Sequence, residues 1–375
     1  GMIGSVRVLL EVIHPAPERL EIALVAPSGR RARLHHHGPG TIPASGAPLH
    51  HDGVWGLYPD EREPVGSLGI FAGQPAAGTW LLELVDAGPA GSGAELARLV
   101  GWAISIEDAE PPAPPTATTT VIPVVAHSHG AQGTMWRSDV RIFNPSLDTT
   151  AAARLYFVPS SADGTQTFWH SELVLPQHTV LDLPDVVGRR FAAAAPRGSL
   201  ILQTTVPGLV VSSRTFTGDA EAGSYGQFIG SVSPPQLTGL DDPPLVIGEL
   251  GTSDDVRTNL GLTEVAGASA AVSVVRFDGA TGLPVAAPAL FTVAPYSNLQ
   301  VGLAPIPGAA PGYARVTVTA GSGRITGYVS LVDNVTGDAV FIPAVQPQPT
   351  HRLMIPVVAR QSGVGGTRWR SSLQL

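Results

Sequence analysis

An internal repeat limits the folds open to this chain more than any other feature. The segment Val121 to Ile142 (VIPVVAHSHGAQGTMWRSDVRI) returns without a gap as Met354 to Leu375 (MIPVVARQSGVGGTRWRSSLQL), with about half of the positions identical. A weaker copy, LVIGELGTSDDVRTNLGL, occupies 245–262. Similarity at constant spacing indicates duplicated structure. The sequence therefore predicts one unit of about 115 residues that is present twice, with a third copy begun.

Each unit has the pattern of an all-β sandwich. Apolar and polar residues alternate over several short segments, and turn residues separate these segments every eight to twelve positions or so. The 43 glycines, the 35 prolines and a charged fraction of 14% also favour short strands joined by turns over long exposed helices. One short helix is predicted, over Pro184 to Phe191. We expect two immunoglobulin-like β-sandwich repeats, and the long period disfavours a β-propeller.

The first hundred residues show the same alternation in a different arrangement. Val6, Val8, Leu10 and Val12 fall on one face of a strand. The opposite face carries Arg7 and Glu11, and later strands are predicted around Leu20 to Leu24, Trp80 to Leu84 and Trp102 to Ile106. A tight turn is expected at Ala26-Pro27-Ser28-Gly29, where Pro fixes φ and Gly closes the turn. These elements predict an antiparallel sandwich in which the tryptophans are structural.

Four segments of this region follow one another in order: LEVIH (10–14), LEIALVAPSGRRARL (20–34), GTWLLELVD (78–86) and GWAISIED (101–108). Over about residues 5–107 the chain resembles the P domain, or Homo B domain, which follows the catalytic unit in kexin-like and many bacterial subtilisin-type serine endopeptidases. The resemblance implies a jelly-roll-like β-sandwich that folds against a protease catalytic domain, in cis or in trans, and stabilises it. It also implies an extracellular or cell-surface, bacterial protein.

Two departures from the family pattern limit what the resemblance implies. The family usually has a Gly-Asp pair where this chain has Glu18 and Arg19, so any role of that Asp is lost. The family's first strand should also begin before Val6, and we therefore expect an N-terminally clipped segment.

These patterns divide the chain into five predicted parts. A P-like sandwich over 1–108 is followed by a Pro/Thr-rich linker, AEPPAPPTATTT, at 109–120. The composition of the linker predicts a semi-rigid spacer. Repeat 1 is expected over 121–240, repeat 2 over 241–350, and the start of a third repeat over 351–375. The apolar strands of this start lack a sandwich, so we expect the hairpin either to pack on repeat 2 or to pair with a neighbouring chain in self-association.

Composition excludes several classes of function. The net charge of −8 and the lack of a basic, aromatic-rich window argue against nucleic acid as a partner. The absence of Cys excludes disulfides, thiolate nucleophiles and Cys-ligated zinc. The longest apolar runs are too short for a membrane span, and the N-terminal segment does not look like a signal peptide.

Motifs for catalysis are also missing, so we predict that the chain is not an enzyme. The nearest likeness to a subtilisin nucleophile is Gly251-Thr252-Ser253, but two aspartates follow it and no helix pattern does. A G-x-S-x-G elbow is absent as well.

Two groups of residues are weighed as metal ligands. His35, His36 and His37 lie near His50, His51 and Asp52 in a Gly- and Pro-rich stretch, which favours an exposed loop over a transition-metal site. The P-domain resemblance raises calcium as the one cofactor to consider. The carboxylates near predicted loops are Asp52, Asp60, Glu61, Glu63 and Asp86. Of these, Asp86 and Asp52 are the predicted calcium ligands.

Three functions compete at this point. The first is a non-catalytic accessory region of a secreted subtilisin-like protease, which a sizeable exposed apolar patch on the first sandwich would support. The second is a secreted or cell-surface binding or adhesion protein whose repeats engage protein or carbohydrate through exposed aromatics, with Phe168, Trp169 and Tyr225 as candidates. The third, a self-contained hydrolase, is disfavoured by the missing motifs.

Overall fold

The chain folds almost entirely into β-strands, as the computed structural model shows. The structure describes residues 1–36, 53–59, 62–88, 97–130, 133–191, 193, 195–219, 223–251, 253–306, 311–347, 355, 357–363 and 366–371. Within these ranges there are 24 strands and four short helical turns, and the sheets are antiparallel. The helical turns span Pro17–Arg19, Leu68–Phe71, Val186–Arg190 and Pro234–Gln236. The predicted all-β sandwich fold class is confirmed.

The first sandwich contains six described strands in two sheets. They are β1 (Ile3–Ile13), β2 (Leu20–Val25), β3 (Arg31–His35), β4 (Gly53–Tyr58), β5 (Leu81–Asp86) and β6 (Arg98–Asp108). One sheet has the order β4-β1-β6 and the other the order β3-β2-β5. Val6, Val8, Leu10 and Val12 are buried between the sheets, as the period of two predicts. The predicted turn is also present, because the Gly29 N–H donates to the Ala26 carbonyl at 2.9 Å.

The repeats contain eight described strands each. Repeat 1 comprises β7 (Thr119–His129), β8 (Met135–Phe143), β9 (Ala151–Pro159), β10 (Trp169–Leu175), β11 (Val180–Leu183), β12 (Arg197–Thr204), β13 (Val210–Asp219) and β14 (Gly223–Gly230). Repeat 2 comprises β15 (Leu245–Leu250), β16 (Val256–Glu264), β17 (Ala270–Phe277), β18 (Ala289–Val293), β19 (Asn298–Leu303), β20 (Gly312–Gly321), β21 (Ile325–Asp333) and β22 (Ala339–Pro343).

The two repeats share one strand order. In repeat 1, β10-β9-β12-β7 lies against β11-β8-β13-β14, and in repeat 2, β18-β17-β20-β15 lies against β19-β16-β21-β22. Even an uncommon backbone conformation recurs, since His178 and Tyr296 precede equivalent strands with φ of 57° and 54°. The immunoglobulin order places its first two strands side by side in one sheet. Here β7 and β8 share only three residue pairs at their hairpin, so the immunoglobulin-like character of the repeats stays a prediction.

The linker lies against repeat 1. The Gln203 side chain accepts from the Ala113 N–H at 3.2 Å and donates to the Ala113 carbonyl at 2.6 Å. Ala109 packs on a buried aromatic cluster that includes Tyr156 and Phe168. These contacts hold the predicted spacer in place, and β7 already begins at Thr119. The predicted domain limits themselves stay predictions.

A buried polar contact joins the two repeats. The carbonyl of Pro123, in β7, accepts from Thr263 Oγ1 and from Asn298 Nδ2, both at 3.0 Å. Asn298 also accepts from Ser160 Oγ through its side-chain oxygen at 3.0 Å, and it is fully buried. A buried amide with all these partners fixes the orientation of one repeat on the other.

The third copy begins with the hairpin of repeat 1. Strands β23 (Arg360–Ser362) and β24 (Arg368–Arg370) pair through Arg360 and Arg370, as His127 and Arg137 pair in repeat 1. The hairpins also share a hydrogen bond, because the Ala359 N–H donates to Ser371 Oγ at 2.9 Å and its counterpart Ala126 to Ser138 Oγ at 2.8 Å. The residues of β23 and β24 are exposed. Their described parts do not pack on repeat 2, and pairing with a neighbouring chain stays a prediction.

Candidate functional site

Asp86, the predicted calcium ligand, is held by an arginine. Strand pairing places Leu20 opposite Asp86, and this brings the neighbouring Arg19 to the carboxylate. Arg19 donates from Nε to Oδ1 at 3.1 Å and from Nη2 to Oδ2 at 2.9 Å, a two-pronged pair. The Gly88 N–H donates to Oδ1 at 2.8 Å. The residue that departs from the family pattern is therefore the ion-pair partner of Asp86.

A buried histidine completes this cluster. His14 is fully buried, and its Nε2 lies 3.4 Å from Asp86 Oδ2. Its Nδ1 accepts from the Ala16 N–H at 3.0 Å, so in the neutral ring the proton is on Nε2 and faces Asp86. The Gly88 N–H and the charge of Arg19 lower the pKa of Asp86.

These contacts define what calcium would have to displace. An ion bound at Asp86 would compete with the Arg19 guanidinium for both carboxylate oxygens. Among the residues that the structure describes, no three His, Asp or Glu side chains come together in a ligand set. Asp52, Asp60 and Glu61 lie outside the described residues, so calcium at Asp86 and Asp52 stays a prediction.

The two consecutive histidines that are described, at the end of β3 and just after it, point to opposite sides of the chain. The His35 ring is buried, with Nε2 3.2 Å from the Pro17 carbonyl, and burial lowers the pKa of this histidine. His36 Nδ1 instead lies 3.6 Å from Glu21 Oε2. This divergence is what extended backbone predicts. His37, His50 and His51 lie outside the described residues.

Two of the aromatics predicted to be exposed are buried. Phe168 is 1% exposed and Trp169 is 8% exposed, so the prediction that they contact a ligand is wrong. Both lie where repeat 1 meets the first sandwich, since a Cβ at Gly73 would overlap the Phe168 carbonyl and the Trp169 ring. Tyr225 is exposed, and its ring meets Trp136 edge to face at 6.0 Å.

An apolar groove crosses the outer face of the β4-β1-β6 sheet. Its volume is about 380 Å³, and its lining includes Leu9, Glu11, Trp55, Val100 and Ala103. Leu9 is 52% exposed, and Trp55 and Val100 are each 40% exposed. The register explains the arrangement, because Leu9 pairs with Ala103 and Glu11 with Trp55 on the face that points away from the core.

The opposite outer face of the same sandwich combines ion pairs with two separate exposed apolar side chains, Leu81 and Val85, each 53% exposed. Arg31 bridges Glu21 and Glu83 at 2.8 Å each, and Arg33 lies 3.2 Å from Glu21. Hydrogen bonds from Arg31 lower the pKa of Glu21. The ion-paired Glu83 separates the two apolar side chains on this face, whereas the apolar side chains of the β4-β1-β6 face are grouped in one groove. Grouped exposed apolar side chains mark a contact surface. The β4-β1-β6 face is therefore the candidate site.

Sequence alternation did not identify this groove. Arg7 and Glu11 indicate a polar outer face for β1, yet Leu9 and Ile13 share that face and are 52% and 41% exposed. The unbroken run Val8-Leu9-Leu10 was the available signal, because a strand with one solvated face should not continue its apolar pattern onto that face.

Comparison with known proteins identifies the first sandwich. Residues 3–106 match the family model of the proprotein convertase P-domain. No curated protein matches the chain. The described part of the chain contains no helix with the length and apolar character needed to cross a membrane.

Proposed function

Since residues 3–106 form a P-domain, a non-catalytic accessory domain of serine proteases, we propose that this chain is the accessory region of a secreted subtilisin-like serine endopeptidase. In this proposal the groove formed by Leu9, Trp55 and Val100 receives the protease catalytic domain. The observation that carries the proposal is the exposed apolar groove on one outer face of the sandwich.

The chemistry of the groove supports a protein partner. Leu9, Trp55 and Val100 are about half exposed, so completing their burial would contribute roughly 1 kcal/mol each, half of the value for a fully exposed side chain. Glu11, in the groove, provides one charged group that could fix the orientation of a partner.

The side of the sandwich next to the groove, at the β5 and β6 ends of the two sheets, is incompletely covered, and this also supports docking. Strands β5 and β6 are each at one end of their sheet. Side chains on their inner faces are only half-buried against the core: Leu82, Leu84, Trp102, Ile104 and Ile106. A stable interface needs about 800 Å² from each partner, more than the groove alone presents. The groove and the β6 edge together form a contiguous docking surface.

Docking on this surface would stabilise the catalytic domain by mass action. A partner that binds the folded catalytic domain and not its unfolded chain shifts the equilibrium toward the folded state. The accessory role then needs no catalytic group in this chain, and it operates whether the two domains are on one polypeptide or on two.

Capture from the culture medium of the source organism tests the proposal. The immobilised chain is incubated with medium that has been treated with a fluorophosphonate probe, which labels active serine hydrolases, and retained proteins are identified by mass spectrometry. Three forms are compared: wild type, Leu9→Asp and Leu81→Asp. Leu9 and Leu81 are 52% and 53% exposed on opposite outer faces, so Leu81→Asp is a matched control.

We expect the wild type and Leu81→Asp to retain a labelled subtilisin-like protease and Leu9→Asp to retain at least tenfold less. Retention of no labelled protease by the wild type, or equal retention by Leu9→Asp, would overturn the proposal.

A further inference from the structure

A polar cleft of about 280 Å³ lies between repeat 1 and repeat 2. Strands β7, β8, β12, β13 and β14 line it from repeat 1, and β16, β19, β21 and β22 line it from repeat 2. It is far along the chain from the P-domain groove and shares no residue with it. Clefts between packed domains are common places for small-molecule sites.

The floor of the cleft is held by hydrogen bonds between and within the repeats. Ser330 Oγ donates to Gln227 Oε1 at 3.1 Å and so connects repeat 2 to repeat 1. Tyr328 is 1% exposed and packs into the core cluster of repeat 1, although it belongs to repeat 2. Its hydroxyl donates to Gln300 Oε1 at 3.4 Å, and burial raises the pKa of Tyr328. The floor therefore presents fixed, neutral amides and hydroxyls.

An aromatic side chain forms one wall. Trp136 is half-buried, at the mouth of the β7–β8 hairpin, and lines the cleft. Its contact with Tyr225 is edge to face, with an interplanar angle of 89°. Tyr225 in turn lies close to Gly337 of repeat 2. This arrangement supports the indole from one side.

The charged side chains at the cleft are arginines. Arg197 and Arg257 line it, and none of its described lining residues is Asp or Glu. Arg257 Nη1 donates to the neutral Asn334 Oδ1 at 2.7 Å. Within the described ranges, neither Arg197 nor Arg257 forms an ion pair with a carboxylate. Two such guanidinium groups in a protein of net charge −8 make a local site for an anion.

From this combination we infer that the cleft binds a short acidic oligosaccharide, of the hexuronate type. Arg197 and Arg257 would bind the sugar carboxylates, because a planar guanidinium pairs well with a carboxylate. The amides Gln227, Asn259 and Gln300 would exchange hydrogen bonds with sugar hydroxyls. The Trp136 ring would pack on the apolar face of a sugar ring. The volume of about 280 Å³ lies just below the usual range of about 300–1,000 Å³ for small-molecule sites and admits roughly one or two rings.

Titration calorimetry of the full chain with digalacturonate tests the inference. Cellobiose, which has no carboxylate, and inorganic phosphate, which has no sugar, are the comparison ligands. The variants are Arg197→Ala, Arg257→Ala and Trp136→Leu. Arg315→Ala is the matched control, because Arg315 is an exposed arginine of repeat 2 outside the cleft. Circular dichroism checks that each variant is folded.

We expect digalacturonate to bind, cellobiose and phosphate to bind at least tenfold more weakly, and Arg315→Ala to behave as the wild type. Each cleft variant should weaken binding at least tenfold. The inference is overturned if digalacturonate does not bind at millimolar concentration, or if phosphate or cellobiose binds as tightly as digalacturonate. It is also overturned if the cleft variants bind digalacturonate as tightly as Arg315→Ala does. Because these residues do not contact the P-domain groove, none of these results bears on protease docking.

Discussion

Asn144 and Glu264 occupy the same position in the two repeats and anchor the same turn. Each side chain accepts a hydrogen bond from the N–H two residues further along, at 3.1 Å from Ser146 and at 2.6 Å from Ala266. Both residues are fully buried. An amide and a carboxylate thus perform one structural role. Backbone N–H groups satisfy the Glu264 carboxylate, whereas the Asn144 amide accepts from the Ser146 N–H and donates to the Thr149 and Leu175 carbonyls.

Replacing Glu264 by Ala should destabilise repeat 2 by about 3 kcal/mol or more. Its two oxygens accept from four backbone N–H groups, those of Ala266, Gly267, Tyr296 and Arg324, at 2.6 to 3.0 Å. Truncation leaves these buried donors without an acceptor. Urea unfolding followed by circular dichroism measures the loss. Glu264→Gln keeps one acceptor oxygen and should lose less of the free energy of unfolding. Equal stability of Glu264→Ala and wild type would show that Glu264 does not anchor this turn.

The stability of the P-domain should fall in acid because of Asp86. Its pKa in the folded protein is lowered from 3.8, so the folded state favours the ionised form. Stability from this group is fully present above pH 3.8 and is lost as the pH falls through the lower, folded-state pKa. The melting temperatures of wild type and Asp86→Asn, measured from pH 7 down to pH 2, should therefore converge on acidification. A gap that is constant with pH would show that the charge is not what stabilises the fold.

Asn298→Ala should loosen the junction between the repeats. The change removes one of two side-chain donors to the buried Pro123 carbonyl and also the acceptor of Ser160 Oγ. We expect a loss of about 2 kcal/mol, with a lower calorimetric midpoint or separate transitions for the two repeats. Gln361→Ala, in the exposed C-terminal hairpin, is the control. An unchanged thermogram for Asn298→Ala would contradict a stabilising role for this contact.

The C-terminal hairpin should make the chain self-associate. Val357 and Val358 are 79% and 69% exposed, whereas their counterparts in repeat 1, Val124 and Val125, are buried. We expect sedimentation velocity to show concentration-dependent association that Val358→Asp reduces. Val335→Asp, at a 77% exposed site on a repeat 2 turn, should leave it unchanged. A chain that stays monomeric at high micromolar concentration would refute the prediction.

The sequence alone predicts strands and duplication well, and contacts between sandwiches poorly. Alternation identifies the buried face of β1 because it depends only on neighbours within the strand. Trp136 lines the cleft, because the adjoining repeat determines what covers the start of β8, and the pattern of β8 alone does not show this. Trp169 is buried in the core of repeat 1 and Phe168 in a cluster that includes Tyr296 of repeat 2, and Gly73 of the first sandwich lies against both. Arg19 could not be assigned to Asp86 without the register of β2 on β5.

The heat stability of the subtilisin-like catalytic domain tests whether the P-domain groove receives a protease. The measurement is the melting midpoint of the subtilisin-like catalytic domain of the source organism, alone and with an excess of wild type, Leu81→Asp or Leu9→Asp chain. We predict a rise of about 3 °C or more with the wild type and Leu81→Asp, and none with Leu9→Asp. An unchanged midpoint with the wild type, or the same rise with Leu9→Asp, would show that the groove does not receive the catalytic domain.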